Sequence, residues 1–111
     1  MVHYLSAPYN HPDPEIRKQR YQLITAFAGK LIKEGTYVFS PITHNIPIKE
    51  MEILTSWEEW KPYDLTMLSL CNQMIVYQLP GWETSRGVQE EIAFAKEKNI
   101  PIVEMKPEAL V

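Results

Sequence analysis

A single cysteine, Cys71, stands among 111 residues, so no internal disulfide can form and a reducing compartment fits. Glycine is scarce at four residues, and neither a Walker A loop nor a G-x-G-x-x-G spacing occurs. Positive charge is not in excess either. Eleven basic and 14 acidic residues leave a formal net charge of −3, which offers no electrostatic footprint for a nucleic-acid polymer or an anionic membrane. No apolar run approaches the ~20 residues of a membrane span, and Met1-Val2-His3-Tyr4 carries no basic stretch ahead of an apolar region. No repeat, low-complexity tract or linker interrupts the chain. His3, His11 and His44 lack metal-ligand spacing, so no metal and no cofactor is expected.

What remains is an ordinary globular composition, 45% apolar and 23% charged, with enough chain for one core. The expectation is one cytoplasmic domain over residues 1–111. Val2 to Ser6 reads as a first strand, ended by Ala7-Pro8. Asp13-Pro14 supplies an N-cap and a proline at the first helical position. Ile24, Phe27, Ala28, Leu31 and Ile32 then recur at helical spacing up to Gly35, which predicts a helix over roughly 14–34. Thr36 to Phe39 is a second strand. Residues 40–56, with Pro41 and Pro47, read as an irregular segment. Trp57 to Leu70 reads as helical with a break before Pro62, and Cys71 as an inert thiol in an apolar helix. Met74 to Tyr77 is a buried strand, Ser85 to Lys98 a helix, and Ile100 to Val103 a last strand.

This alternation predicts an α/β fold: three layers, α/β/α, around a mainly parallel sheet of four to five strands, flavodoxin- or Rossmann-like. In such sheets ligands sit beyond the carboxyl ends of the strands. Three loops lie there, Ser6 to Asn10, Ser40 to Asn45 and Leu79 to Gly87. The candidate substrate contacts on them are Ser6, Pro8, His44, Trp82, Ser85, Arg86 and Gly87.

The third loop opens a helix straight after a buried strand, and free N–H groups at a helix start attract anions. Ser85 adds a hydroxyl, Arg86 a guanidinium, and Gly87 a close backbone approach. A plain N-cap with a solvated arginine explains the same residues equally well. Helical geometry separates the next two acids. With Val88 at zero, Ile92 falls at about 40°, Ala95 at about 340° and Glu91 at about 300°, but Glu90 at about 200°. Glu91 therefore borders the apolar stripe, and its first-turn position opposes the upward pull of burial on its pKa, keeping it ionised as a nucleophile must be. Glu90 points to water. Asp64 is a second candidate carboxylate, although an N-cap after the Pro62 break is the plainer reading. Trp57, Trp60, Trp82, Tyr9 and Tyr63 offer aromatic faces for a planar base, or simply pack.

Taken together, Tyr4-Leu-Ser-Ala-Pro8, Asp64-Leu-x-x-Leu-x-x-Cys71-Asn72 and Ser85-Arg-Gly-Val-x-x-Glu91-Ile-x-x-Ala95 resemble the nucleoside 2-deoxyribosyltransferase superfamily. The likeness covers almost the whole chain. Within it, the sequence is most similar to a bacterial and phage domain family without an assigned function that shares the phrases YLSAPY, FSPI.H, W..YD and LPGWE.SRGV..EI. The resemblance implies that Glu91 is a nucleophile, that Asp64 assists departure of the base as acid and base, and that Tyr4 orients Glu91. Transferases carry an aspartate six residues before the glutamate, to meet a 5′-hydroxyl. Here Ser85 stands there, as in the related nucleoside 5′-monophosphate N-glycoside hydrolases. A serine can donate to a phosphate that an aspartate would repel. The implied reaction is thus cleavage of the N-glycosidic bond of a nucleoside 5′-monophosphate with a 2′-deoxy sugar, by hydrolysis or base transfer through a glycosyl-enzyme, with a non-catalytic nucleotide-binding or sensing module as the alternative. Asn72 replaces the family's usual aspartate. Related enzymes build their sites at subunit contacts, so a homo-oligomer, dimer or higher, is expected.

Overall fold

The computed structural model describes residues 1–108. Four strands, β1 (Val2–Ser6), β2 (Tyr37–Phe39), β3 (Gln73–Tyr77) and β4 (Ile102–Met105), form one sheet in the order β2-β1-β3-β4, and every pairing is parallel. Four helices connect them: α1 (Pro14–Lys33), α2 (Pro41–Lys49), α3 (Trp57–Ser69) and α4 (Arg86–Glu97). The α/β fold expected from the alternating punctuation is the one found.

Alternation along each strand builds two cores. Leu5, Ala7, Ile75 and Tyr77 face α1, where they pack on Ile24, Ala28 and Leu31. Tyr4, Met74 and Val76 point to the other face and pack on Leu68 of α3 and on Val88 and Ala95 of α4. The chain leaves β1 for β2 in one direction and leaves β3 for β4 in the other, with α1 and α4 on opposite faces. Reversing both direction and face keeps one hand throughout, as the handedness of parallel crossovers demands. The strand order therefore reverses between β1 and β3, and a crevice opens at their carboxyl ends.

Two segments depart from the sequence expectation. Residues 41–49 are helical despite Pro47. Ser40 caps this helix and Pro41 occupies its first turn, where the missing N–H costs nothing. A run of hydroxyls, Ser40 to Thr43 at 2.8 Å and Thr43 to Thr25 at 2.9 Å, ties it to α1. Likewise Pro62 does not break α3. A capping box between Ser56 and Glu59 nucleates that helix, and Trp60, Asp64 and Leu68 bury one continuous face across the proline. Asp64 is thus a mid-helix residue and not an N-cap. Cys71 lies just beyond α3, its thiol donating to the Met67 carbonyl at 3.3 Å. Asn72 accepts from the Val2 amide at 2.8 Å at the start of β1, the end of the sheet away from the crevice.

Candidate functional site

The crevice holds a pocket of about 430 Å³. Glu91 of α4 lines it, held from beneath by two residues of the sheet. Tyr4 and Ser6 are two residues apart on β1, so their side chains share a face, and that face looks at the first turns of α4. There Glu91 sits in line with Val88 and Ala95, buried to 5% exposure. The Tyr4 hydroxyl donates to one carboxylate oxygen, Oε2, and the Ser6 hydroxyl to the other, Oε1, at 2.8 Å. Both donors are fully buried. The Glu91 carboxyl is therefore fixed in orientation at the pocket wall.

Asp64 reaches the same pocket from α3, also at 5% exposure. The Asn45 side chain donates to its Oδ1 at 2.8 Å, and the Asn45 oxygen lies 2.8 Å from His44 Nδ1. An ionised carboxylate only accepts, so the Asn45 amide turns its NH2 towards Asp64 and its oxygen towards a protonated His44 Nδ1. The His44 ring stacks on Tyr63, centroids 5.8 Å apart, which holds the chain of donors in place.

The electrostatics of the two acids are coupled. Burial pushes Glu91 up to about 8; the Tyr4 and Ser6 hydrogen bonds pull it down, and the charge of Asp64 pushes it further up. Burial also raises Asp64 to about 6, against the lowering effects of Asn45 and His44. Desolvation thus outweighs the helix start that the sequence suggested would keep Glu91 ionised. At neutral pH the pair holds one proton.

The start of α4, expected from the sequence to attract an anion, is less free than its residues suggest. Ser85 is the N-cap of α4, its Oγ accepting from the Val88 amide at 3.4 Å. Arg86 is exposed and engaged twice, by Glu58 of α3 and by Glu90, 3.5 Å from its Nε. Trp57 donates its Nε1–H to Glu90 and lays its ring along Gly87, so a Cβ at Gly87 would touch that ring at 3.8 Å. Ser85, Arg86 and Gly87 all line the pocket, as do Trp57 and Trp60. His44 stands behind Asn45 instead of facing the cavity. Ser6 and Pro8 are fully buried and outside the lining, Ser6 reaching the site only through Glu91, and the Trp82 ring packs against the core on the α4 side of the sheet, so the structure brings none of these three to the pocket surface. Asn45 and the apolar wall of α2, Ile42 and Ile46, were missed because a segment with two prolines reads as a loop. Among the described residues no group of three or more potential metal ligands converges.

Residues 1–107 match the model of a protein family described as a domain of unknown function, DUF1937. The chain belongs to the DUF1937 family. Among solved structures, this DUF1937 chain is similar to a 2-deoxyribosyltransferase from the psychrotolerant bacterium Bacillus psychrosaccharolyticus, with a TM-score of 0.70 over 100% of this chain and 76% of that one, at 18% sequence identity. That likeness is one of fold, and it is the fold of the superfamily the sequence resembles. Comparison with curated proteins gives no match.

Proposed function

We propose that this DUF1937 domain cleaves the N-glycosidic bond of a nucleoside 5′-monophosphate, with a 2′-deoxy sugar and with water as the usual acceptor. The observation that carries this reading is the pair of buried carboxylates on one pocket, Glu91 held by Tyr4 and Ser6 and Asp64 held by Asn45. In the first step a carboxylate oxygen of Glu91 bonds to the anomeric carbon while the C–N bond breaks and its electron pair leaves with the base. Asp64 delivers its proton to that base. In the second step ionised Asp64 takes a proton from water, whose oxygen displaces Glu91 from the sugar. Positive charge developing on the sugar favours the ionised form of Glu91, so the single proton shared by the pair moves to Asp64 as the reaction proceeds.

The phosphate end is supported by the Ser85 hydroxyl, the α4 amides and Arg86. Exposed ion pairs hold little energy, so a phosphate can draw Arg86 away from Glu58. Met51 and Ile53, 71% and 68% exposed between α2 and α3, support a homo-oligomer whose second copy completes the pocket rim. Among the described residues no helix is long and apolar enough to cross a membrane, and the lone Cys71 supports a cytoplasmic setting. A second reading, nucleotide binding without turnover, draws on the proton that burial keeps on Glu91. Incubation with ribo- and deoxyribonucleoside monophosphates separates the two: release of free base supports catalysis, and calorimetric binding without release supports the module.

A further inference from the structure

The pocket does not end at Asp64. Following α2 one turn beyond Asn45 brings Lys49 onto the same helical face, and Lys49 lines both the pocket and an adjoining open groove. The groove also holds Arg17 of α1 and the Tyr9 to His11 segment. Lys49 Nζ lies 5.6 Å from the centre of the Tyr9 ring and 3.5 Å from Asn10 Oδ1. Arg17 donates to the His11 and Pro12 carbonyls. Among the described residues, neither cation has a carboxylate within 4.0 Å. Glu50 and Glu52 line the groove beyond contact distance, and burial, followed by the like charge of Arg17, lowers the Lys49 pKa.

Two partly buried cations on one groove, neither in contact with a carboxylate, are eased by an anion that joins them. Asn10 connects this pair to the phosphate end, since it touches Lys49 and also lines a surface depression with Thr84 and Ser85. Arg86 is already neutralised by Glu58 and Glu90, whereas Lys49 and Arg17 are not.

We propose that Lys49 and Arg17, with Asn10 and Tyr9, form a second anion subsite that takes a further phosphoryl group, so that the monophosphate named above is turned over and a nucleoside diphosphate or longer is turned over faster. This rests on the nucleotide reading of the pocket and extends it. The first phosphate lies at Ser85 and the start of α4, and the next runs past Asn10 to Lys49. Monophosphates fill the first position alone.

The test reads binding and turnover separately. Inorganic phosphate and pyrophosphate are titrated calorimetrically into the wild type, Lys49→Gln and Lys49→Arg, with melting curves to show that each is folded. Pyrophosphate is expected to bind the wild type at least tenfold more tightly than phosphate. Lys49→Gln removes most of that difference and Lys49→Arg retains it. Equal affinities in the wild type, or the same difference in Lys49→Gln, overturns the subsite. In the same proteins, the ratio of kcat/KM for a nucleoside diphosphate to that for the monophosphate is expected to fall at least tenfold in Lys49→Gln. If pyrophosphate binds as described and no nucleotide loses its base, the catalytic reading fails and the subsite stands. If base is released without a diphosphate preference, the reverse holds.

Discussion

Tyr4 and Glu91, 87 positions apart, meet through a buried hydrogen bond from the phenol hydroxyl to Glu91 Oε2. It joins the first strand to the last helix across the switch point of the sheet, fixes the direction of the candidate nucleophile, and lowers its proton affinity against the larger effect of burial. Burial and the charge of Glu91 in turn drive the Tyr4 pKa well above 10, so the phenol is a donor at every working pH.

Removing that donor has a defined consequence. Because the Tyr4 hydrogen bond lowers the Glu91 pKa, Tyr4→Phe raises it. We expect the alkaline limb of the pH–rate profile to move up and kcat to fall roughly 10- to 100-fold, as for loss of a partner that orients a reacting group. An unchanged limb would show that the bond does not tune Glu91.

The wild-type profile itself is constrained. The proposed reaction needs one proton on the carboxylate pair, and the pair loses its two protons at about 6 and about 8. A bell with its maximum near pH 7 is expected for kcat/KM. Asn45→Ala removes a bond that lowers the Asp64 pKa, so the acid limb moves up. Rates that rise or fall monotonically from pH 5 to 9 contradict the shared proton.

Stability carries the same signature. Folded Glu91 keeps its proton up to about 8, whereas the unfolded chain releases it near the ordinary ~4.3. Between those values the native state binds more protons, so stability falls as pH rises, by a few kcal/mol in total. Glu91→Gln abolishes this dependence. We expect the variant to melt near wild type at pH 5 and clearly above it at pH 8; a parallel decline in both proteins would contradict the raised pKa.

The exposed ion pair of Arg86 with Glu58 competes with an incoming phosphate. Glu58→Gln removes one of the two carboxylates on the guanidinium and leaves Glu90, and we expect KM for a nucleoside monophosphate to fall severalfold with kcat little changed. Arg86→Gln has the opposite effect on KM. Both shifts shrink as salt is raised. Identical KM values for all three proteins would remove Arg86 from substrate binding.

Glu91 was legible in the sequence because a helix advances about 100° per residue, which sets it beside Val88 and Ala95 and turns Glu90 outward. The parallel sheet was legible in the continuous apolar strands around Leu5 and Ile75. What stayed hidden depends on partners distant in sequence. Nothing local announces that Ser40 and Thr25 will hold a helix through Pro47, or that Trp60 and Leu68 will carry α3 past Pro62. With α2 read as a loop, the Asn45 contact that orients Asp64 was invisible. Trp82 was misjudged in the other direction, since an aromatic residue beside a predicted site also fits a core.

The proposed bond from Glu91 to the sugar is tested most directly by chromatographic detection of free base from a panel of nucleoside mono- and diphosphates, with wild type and Glu91→Gln side by side. We predict release by the wild type and a loss of at least three orders of magnitude in the variant, which keeps the shape of the site but cannot attack. Equal release by the two proteins from every substrate would contradict it.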